Sequence, residues 1–532
     1  MKKRLLATLM AAAMAATALA GCGSDGSGTS NGGAEKTDGT EGSATATVDN
    51  GETYNIDMQI VTWGNAPDEI DQVEDAINAI TEPEIGVTVT LNPIAAWDLI
   101  NESTRSVTAG EKLDLMCIFA YGQSMDSITT YTSKNMILPL DDLYEKYGTD
   151  IGTALDKEIQ LGYLGDTLYA IPSKSNYGTG RAFTARKDYL DELGITADPD
   201  KIYTVDELTE IFEKFTEKYG TGYYPMALYG GAGDDVYGHF HEIDTLGSQT
   251  YNGVLMNAGL DENTTIVDLY ETEEYMEYCK QMHQWYQAGY INPDVNTISD
   301  DVTAQLKSGK YLGQIGPYYP GSKTGLENNI GVEFEEFKLV EPYATTTAAS
   351  QALWAIPVTC ENPEKTMQFL NLLYQDRELS QDIDSLLAVG LEGVSYNVEE
   401  ALSGSRAIIS ATETGTWNTW CPSELYGNYF TTPRMIPNEA SIYDDIETFN
   451  NNIISENRIT DAFGYVFDGS EVSTQMSAVA SVATQYRGLV GFGTVDPEEV
   501  MPEFIAALKD AGVDDIITEN QRQLDAWYAN NK

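Results

Sequence analysis

The chain has 532 residues, with 83 acidic against 30 basic side chains, 42% hydrophobic content, 33 Tyr and 5 Cys. That length suffices for about three domain-sized units with buried cores, and the apolar and aromatic content excludes a disordered acidic chain. A net charge of −53 gives no global attraction to nucleic acid or anionic lipid, which need clustered Lys and Arg, so no nucleic-acid partner is expected.

Residues 1–21 read as a secretory signal. Lys2, Lys3 and Arg4 precede an apolar run from Leu5 to Leu19 that is short for a membrane span. Leu19-Ala20-Gly21-Cys22 then resembles the lipobox of bacterial lipoproteins, in which cleavage precedes the Cys and its sulfur receives a lipid. An ordinary secretory signal with a chance Cys is the alternative. Loss of the three cations takes the mature charge from −53 to −56. Residues 23–50 hold 7 Gly, 4 Ser and 5 Thr among 28, with Val48 the one large aliphatic, and are expected to be a flexible tether. The remaining Cys117, Cys279, Cys360 and Cys421 match no zinc or redox spacing. One disulfide stays open, with buried thiols preferred for Cys117 and Cys360.

From residue 54 the pattern alternates between strand and helix periods. Ile56, Met58 and Ile60 mark a strand, Val73, Ile77 and Ile80 one face of a helix, and Val87, Val89 and Leu91 a second strand. A helix over 96–109 and a fully covered strand at 115–120 complete β-α-β-α-β, which implies an open, mostly parallel sheet with ligands beyond the strands' carboxyl ends. Thr204 to Glu207 fits a capping box, and Asn362-Pro363 and Asp496-Pro497 start two further helices. The last helix is expected over 515–528. The body reads as α/β throughout, in more than one lobe.

Several segments together resemble extracellular solute-binding proteins of ABC importers, family 1, the class that carries oligosaccharides. They are Asp166 to Pro172 with Phe183 to Leu190, Trp285 to Asp294, Ser308-Gly309-Lys310 leading into Gly316-Pro317-Tyr318, and Trp354-Ala355-Ile356-Pro357 ahead of Asn362 to Lys365. Ala507 to Trp527 resembles a C-terminal domain of unassigned function found on a subset of these lipoproteins. The resemblance implies a two-lobed, periplasmic-binding-protein-like α/β fold with a hinge. Crossovers would fall near 175–180, 348–353 and 400, giving a first lobe of 51–176 plus 352–400 and a second of 180–347 plus 402–532. Arg186 departs from the Asn usual there. Some relatives bind calcium after the helix corresponding to 205–218, but 219–224 offers no carboxylate, so no metal or cofactor is expected.

A sugar presents apolar C–H faces and a rim of hydroxyls, which suits aromatic platforms flanked by polar groups. The candidates are Trp63 and Tyr121 after strand ends, Tyr177 at the first crossover, Tyr318 and Tyr319 after Gly316-Pro317, Trp354 at the second crossover, and Trp417 and Trp420 in a turn-rich segment. For each, core packing is the alternative. Trp285 and Trp527 lie in helical patterns and receive no ligand role. His239 and His241 form the one metal-like pair, without a third ligand. Beyond residue 50 no nucleophile elbow, His-Glu-x-x-His or Walker loop is present, and among so many carboxylates no glycosidase pair stands out. Two function classes stay open: a monomeric binding lipoprotein that delivers a neutral oligosaccharide to an ABC permease, and a cell-surface glycosidase. Peptide capture is a variant of the first, and the resemblance favours the oligosaccharide carrier.

Overall fold

The computed structural model describes residues 53–119, 127–155, 157–229, 237–246, 251–260, 263–349 and 352–531. The signal segment, Cys22, the tether and Tyr121 lie outside the described residues. Strand β1 (Tyr54–Thr62), helix α1 (Ile70–Ile85), β2 (Val87–Ala95), α2 (Leu99–Ala109) and β3 (Met116–Phe119) keep the expected order. Val73, Ile77 and Ile80 are buried on α1, which stops at Gly86. There φ is 64°, a left-handed conformation that glycine takes without a Cβ penalty, and the Gly86 N–H turns back to the Glu82 and Thr81 carbonyls. β1 and β2 run parallel in register from Tyr54 against Val87 to Thr62 against Ala95. Leu115 bridges Met58 in the same sense. α2 begins at Leu99 rather than at 96, because the Ala96 N–H still donates to the Thr62 carbonyl (2.9 Å) and a turn follows, closed by Asp98 N–H to the Ala95 carbonyl (2.9 Å).

Next come β4 (Ile171–Pro172), β5 (Thr179–Arg186), α3 (Val205–Tyr219), β6 (Tyr224–Met226), α4 (Glu273–Gln287), β7 (Tyr311–Tyr318), β8 (Phe334–Tyr343) and β9 (Ala352–Ala355). The capping box of α3 is formed: Thr204 Oγ1 accepts from the Glu207 N–H (3.3 Å) and Glu207 Oε2 from the Thr204 N–H (3.0 Å). The opening strands pair in parallel as expected, but the later sheets are mostly antiparallel. In the order β8-β5-β7-β6 only β7 and β6 are parallel. β9 runs antiparallel between β3 and β4, since it re-enters its sheet from the edge at which β3 ends.

Two large cores result, one in each lobe of a two-lobed α/β fold. The first joins Ile56, Val89, Ile171, Trp354 and Leu370; the second joins Phe183, Phe212, Trp285, Leu312 and Phe337. The chain ends in α5 (Pro363–Leu372), α6 (Ile383–Val389), α7 (Trp417–Trp420), α8 (Ile442–Ser455), α9 (Ser473–Gly491), α10 (Pro497–Ala511) and α11 (Val513–Asn531). Val479, Phe504, Leu508 and Leu524 of the last three helices join the second core. Trp417, Leu425 and Tyr426 instead join the first, against the expectation that the chain from 402 onward packs with the second lobe. Cys117, Cys279, Cys360 and Cys421 are buried. Among the described residues no helix is long and apolar enough to cross a membrane.

Candidate ligand-binding site

The carboxyl ends of β1 and β2 open one rim. The half-buried Trp63 follows β1 and stands edge-on to Phe119, with ring centroids 6.1 Å apart. Its backbone N–H donates to the Trp420 carbonyl (2.8 Å), so two tryptophans distant in sequence share this edge. The turn that carries Trp420 is fastened by Glu69, whose carboxylate accepts from the Thr416 N–H and hydroxyl (2.6 Å each) and from the Trp417 N–H (3.4 Å). Burial opposes the charge on Glu69, but the Thr416 bonds outweigh it and hold the carboxyl below its ordinary range. Sequence reasoning missed Glu69, which carries no local signal: its partners lie almost 350 positions away. It also missed Trp97, an exposed indole just past β2.

Three of the expected aromatics are buried in the structure. Trp354 and Trp417 are 0% exposed. The Trp354 indole N–H donates to the Leu425 carbonyl (2.8 Å) and its ring stacks on Tyr426 (5.5 Å), while the Trp417 indole donates to the Leu387 carbonyl (3.0 Å). With polar handle and ring faces both satisfied, these are core residues. Tyr177 is also buried: it stacks on Phe463 (5.1 Å) at the first crossover, and its N–H donates to Asn450 Oδ1 (2.5 Å).

On the second lobe, Tyr318 and Tyr319 follow the Gly316-Pro317 end of β7 and are half-buried. Lys338 Nζ lies 4.9 Å from the Tyr318 ring centre. A turn fixes Tyr319: its N–H donates to Ser322 Oγ (3.2 Å), and the Ser322 hydroxyl donates to the Tyr319 carbonyl (2.7 Å). Burial, with the nearby Glu424 and Tyr429, pushes the Tyr319 phenol up, so it stays a neutral donor and acceptor. Glu424 is itself pushed up by burial, offset in part by Arg434, whose guanidinium lies over the Tyr429 ring at 3.3 Å. Residues 420–429 therefore bond Trp420 to the Trp63 backbone and carry Glu424, whose charge bears on the Tyr319 phenol. Of the eight aromatics singled out, Trp63 and Trp420 are joined through the backbone, and Tyr318 and Tyr319 stand together at the end of β7.

His241 stacks on Tyr237 (4.4 Å) and burial lowers its pKa; among the described residues no three His, Cys, Asp or Glu gather as a metal site. An arrangement of indole edges, phenols and a half-buried carboxyl can cover C–H faces and bond hydroxyls.

Comparison with known proteins agrees with the fold. Residues 461–529 match a domain of unknown function, DUF3502. A carbohydrate ABC transporter substrate-binding protein of Streptococcus pneumoniae is 26% identical over 503 residues, 92% of this chain and 94% of the relative. The N-glycan transport solute binding protein NgtS of Streptococcus pneumoniae superposes with a TM-score of 0.76 at 22% identity, covering 90% of this chain and all of that one. An HMO-binding, ABC-transporter-associated solute binding protein of Bifidobacterium longum infantis gives a TM-score of 0.62 at 15% identity, over 90% of this chain and 99% of that one. Residues 75–381, more than half of the sequence, match the model of bacterial extracellular solute-binding proteins, and the chain belongs to that family.

Proposed function

We propose that this protein is the substrate-binding lipoprotein of an ABC importer: it captures a neutral oligosaccharide between its lobes and delivers it to membrane permease subunits without chemical change. The observation that carries this reading is the likeness, along 92% of the chain, to a carbohydrate ABC transporter substrate-binding protein. The rim supports it. Trp63, Trp420, Tyr318 and Tyr319 offer ring faces and phenols, Glu424 offers a carboxyl pushed toward its neutral form, and an acidic protein disfavours polyanionic glycans. Cys22 is the lipid-bearing first residue, and residues 23–50 tether a monomeric body at the extracellular face of the membrane.

The test is calorimetric titration with Man1GlcNAc, Man5GlcNAc and plant oligosaccharides, followed by mass spectrometry of the sugar. The glycans are those of solved NgtS complexes. Stoichiometric binding with the sugar recovered intact is expected. New products would make the protein a glycosidase, and binding of oligopeptides alone would overturn the carbohydrate reading. Mass spectrometry of the membrane-extracted N-terminus is expected to find a lipidated Cys22.

A further inference from the structure

Trp97 is 59% exposed, the most open of the large hydrophobic residues, and belongs to neither core. Its position is nevertheless fixed. The parallel register that sets Thr62 against Ala95 makes the chain leave β1 and β2 at the same edge. The Ala96 bond to the Thr62 carbonyl holds the two exits together. The six-membered end of the indole rests on Gly64, where a Cβ would sit 3.2 Å from Trp97 Cη2 and 3.4 Å from Cζ2. Gly64 has φ of +120°, so glycine serves there both the backbone and the close approach of the ring. Gly64 directly follows Trp63, which is bonded through its backbone to Trp420.

An isolated exposed apolar side chain needs no explanation by itself. A tryptophan at the carboxyl edge of a parallel pair, seated on a positive-φ glycine that directly follows the half-buried Trp63, is a different case. We propose that Trp97 is an outer stacking platform, taking a sugar ring beyond those held near Trp63 and Trp420, and that it thereby sets a preference for longer oligosaccharides. The inference rests on the oligosaccharide reading of the site. The open indole surface matches the C–H face of one pyranose, and the close approach to Gly64 supports the opposite side of the ring. A short ligand that fills the inner positions does not reach this platform.

The experiment titrates wild type, Trp97→Ala and Gly64→Val with Man1GlcNAc and Man5GlcNAc, with thermal melts of each protein. Trp97→Ala is expected to leave the Man1GlcNAc affinity within about twofold and to weaken Man5GlcNAc at least tenfold, with an unchanged melt, since truncating an exposed aromatic that a bound ring covers is a hot-spot change for binding alone. Gly64→Val displaces the ring and should reproduce the length-dependent loss with Trp97 intact. Equal Man5GlcNAc affinity in wild type and Trp97→Ala, or equal losses for both glycans, overturns the proposal while leaving the oligosaccharide reading standing. Wild type binding neither glycan nor any plant oligosaccharide removes that reading and this proposal with it.

Discussion

Truncating Trp354 removes an indole that stacks on Tyr426 and donates to a backbone carbonyl inside the first core. Trp354→Ala and Trp417→Ala are therefore expected to cost about 3–5 kcal/mol of stability each, seen in denaturant unfolding. Trp63→Ala and Trp420→Ala, at half-buried positions on the rim, should cost much less stability and instead weaken oligosaccharide binding by about 2–4 kcal/mol in calorimetry. The position of an aromatic at a strand end was legible in the sequence, but the direction of its ring was not. All four residues of β9 are buried, so no alternation distinguishes the face of Trp354 from the other. Asp268 makes a pH-dependent case. Its Oδ1 accepts from Asn252 Nδ2 (3.0 Å) and the Tyr270 N–H (3.3 Å), its Oδ2 has no hydrogen-bond partner among the described residues, and burial pushes the carboxyl up to about 7. The folded state holds that proton more tightly than the unfolded chain, so the stability it contributes is complete below the ordinary value of 3.8 and is lost as pH rises through about 7. Asp268→Asn keeps the acceptor and removes the titration. Its melting temperature should exceed wild type at pH 8, and the difference should shrink toward pH 5.

Helix starts were readable because their chemistry is local: Thr204 and Glu207 sit three residues apart, and Asn362 Oδ1 accepts from the Lys365 N–H as the Asn-Pro pair implied. Strand direction was not, because hydrophobic period reports which face is covered and is silent on whether a strand arrives from a helix or from the other lobe. The turn 416–420 was equally hidden, since what holds it is Glu69 ahead of α1. Glu69→Ala leaves the Thr416 and Trp417 amides without their acceptor, at a cost of about 1–3 kcal/mol. The change should also free Trp420 from Trp63, so binding should fall as in Trp420→Ala and amide exchange should rise at 416–420. The depressed Glu69 carboxyl gives the sign of its pH dependence. Its stabilisation is present above the ordinary 4.5 and is lost as pH falls below it, so the Glu69→Ala deficit should close in acid.

At the scale of the molecule, the chain passes between the two cores at paired segments. Lys174 N–H donates to the Gly427 carbonyl (2.8 Å) and Tyr429 N–H to the Lys174 carbonyl (3.0 Å). The second passage is laced in the same way to the chain after α8: Ala344 N–H donates to the Arg458 carbonyl and Thr460 N–H to the Ala344 carbonyl (2.9 Å each). Tyr177, stacked on Phe463 and bonded to Asn450, packs these passages together with Ala344 and Ile453. A few residues at element ends that absorb a change of angle are where lobes hinge. Saturation with the oligosaccharide found in the calorimetric panel should therefore lower the radius of gyration measured by small-angle scattering, and an unchanged radius would leave capture without lobe closure. Tyr177→Ala separates a hinge role from a ligand contact. Loss of the stack with Phe463 loosens the passage itself, so the ligand-free radius should shift from wild type while the saturated radius, set by the sugar bridging both lobes, should match it. Were Tyr177 a sugar contact, the ligand-free radius would be unchanged and only the affinity would fall.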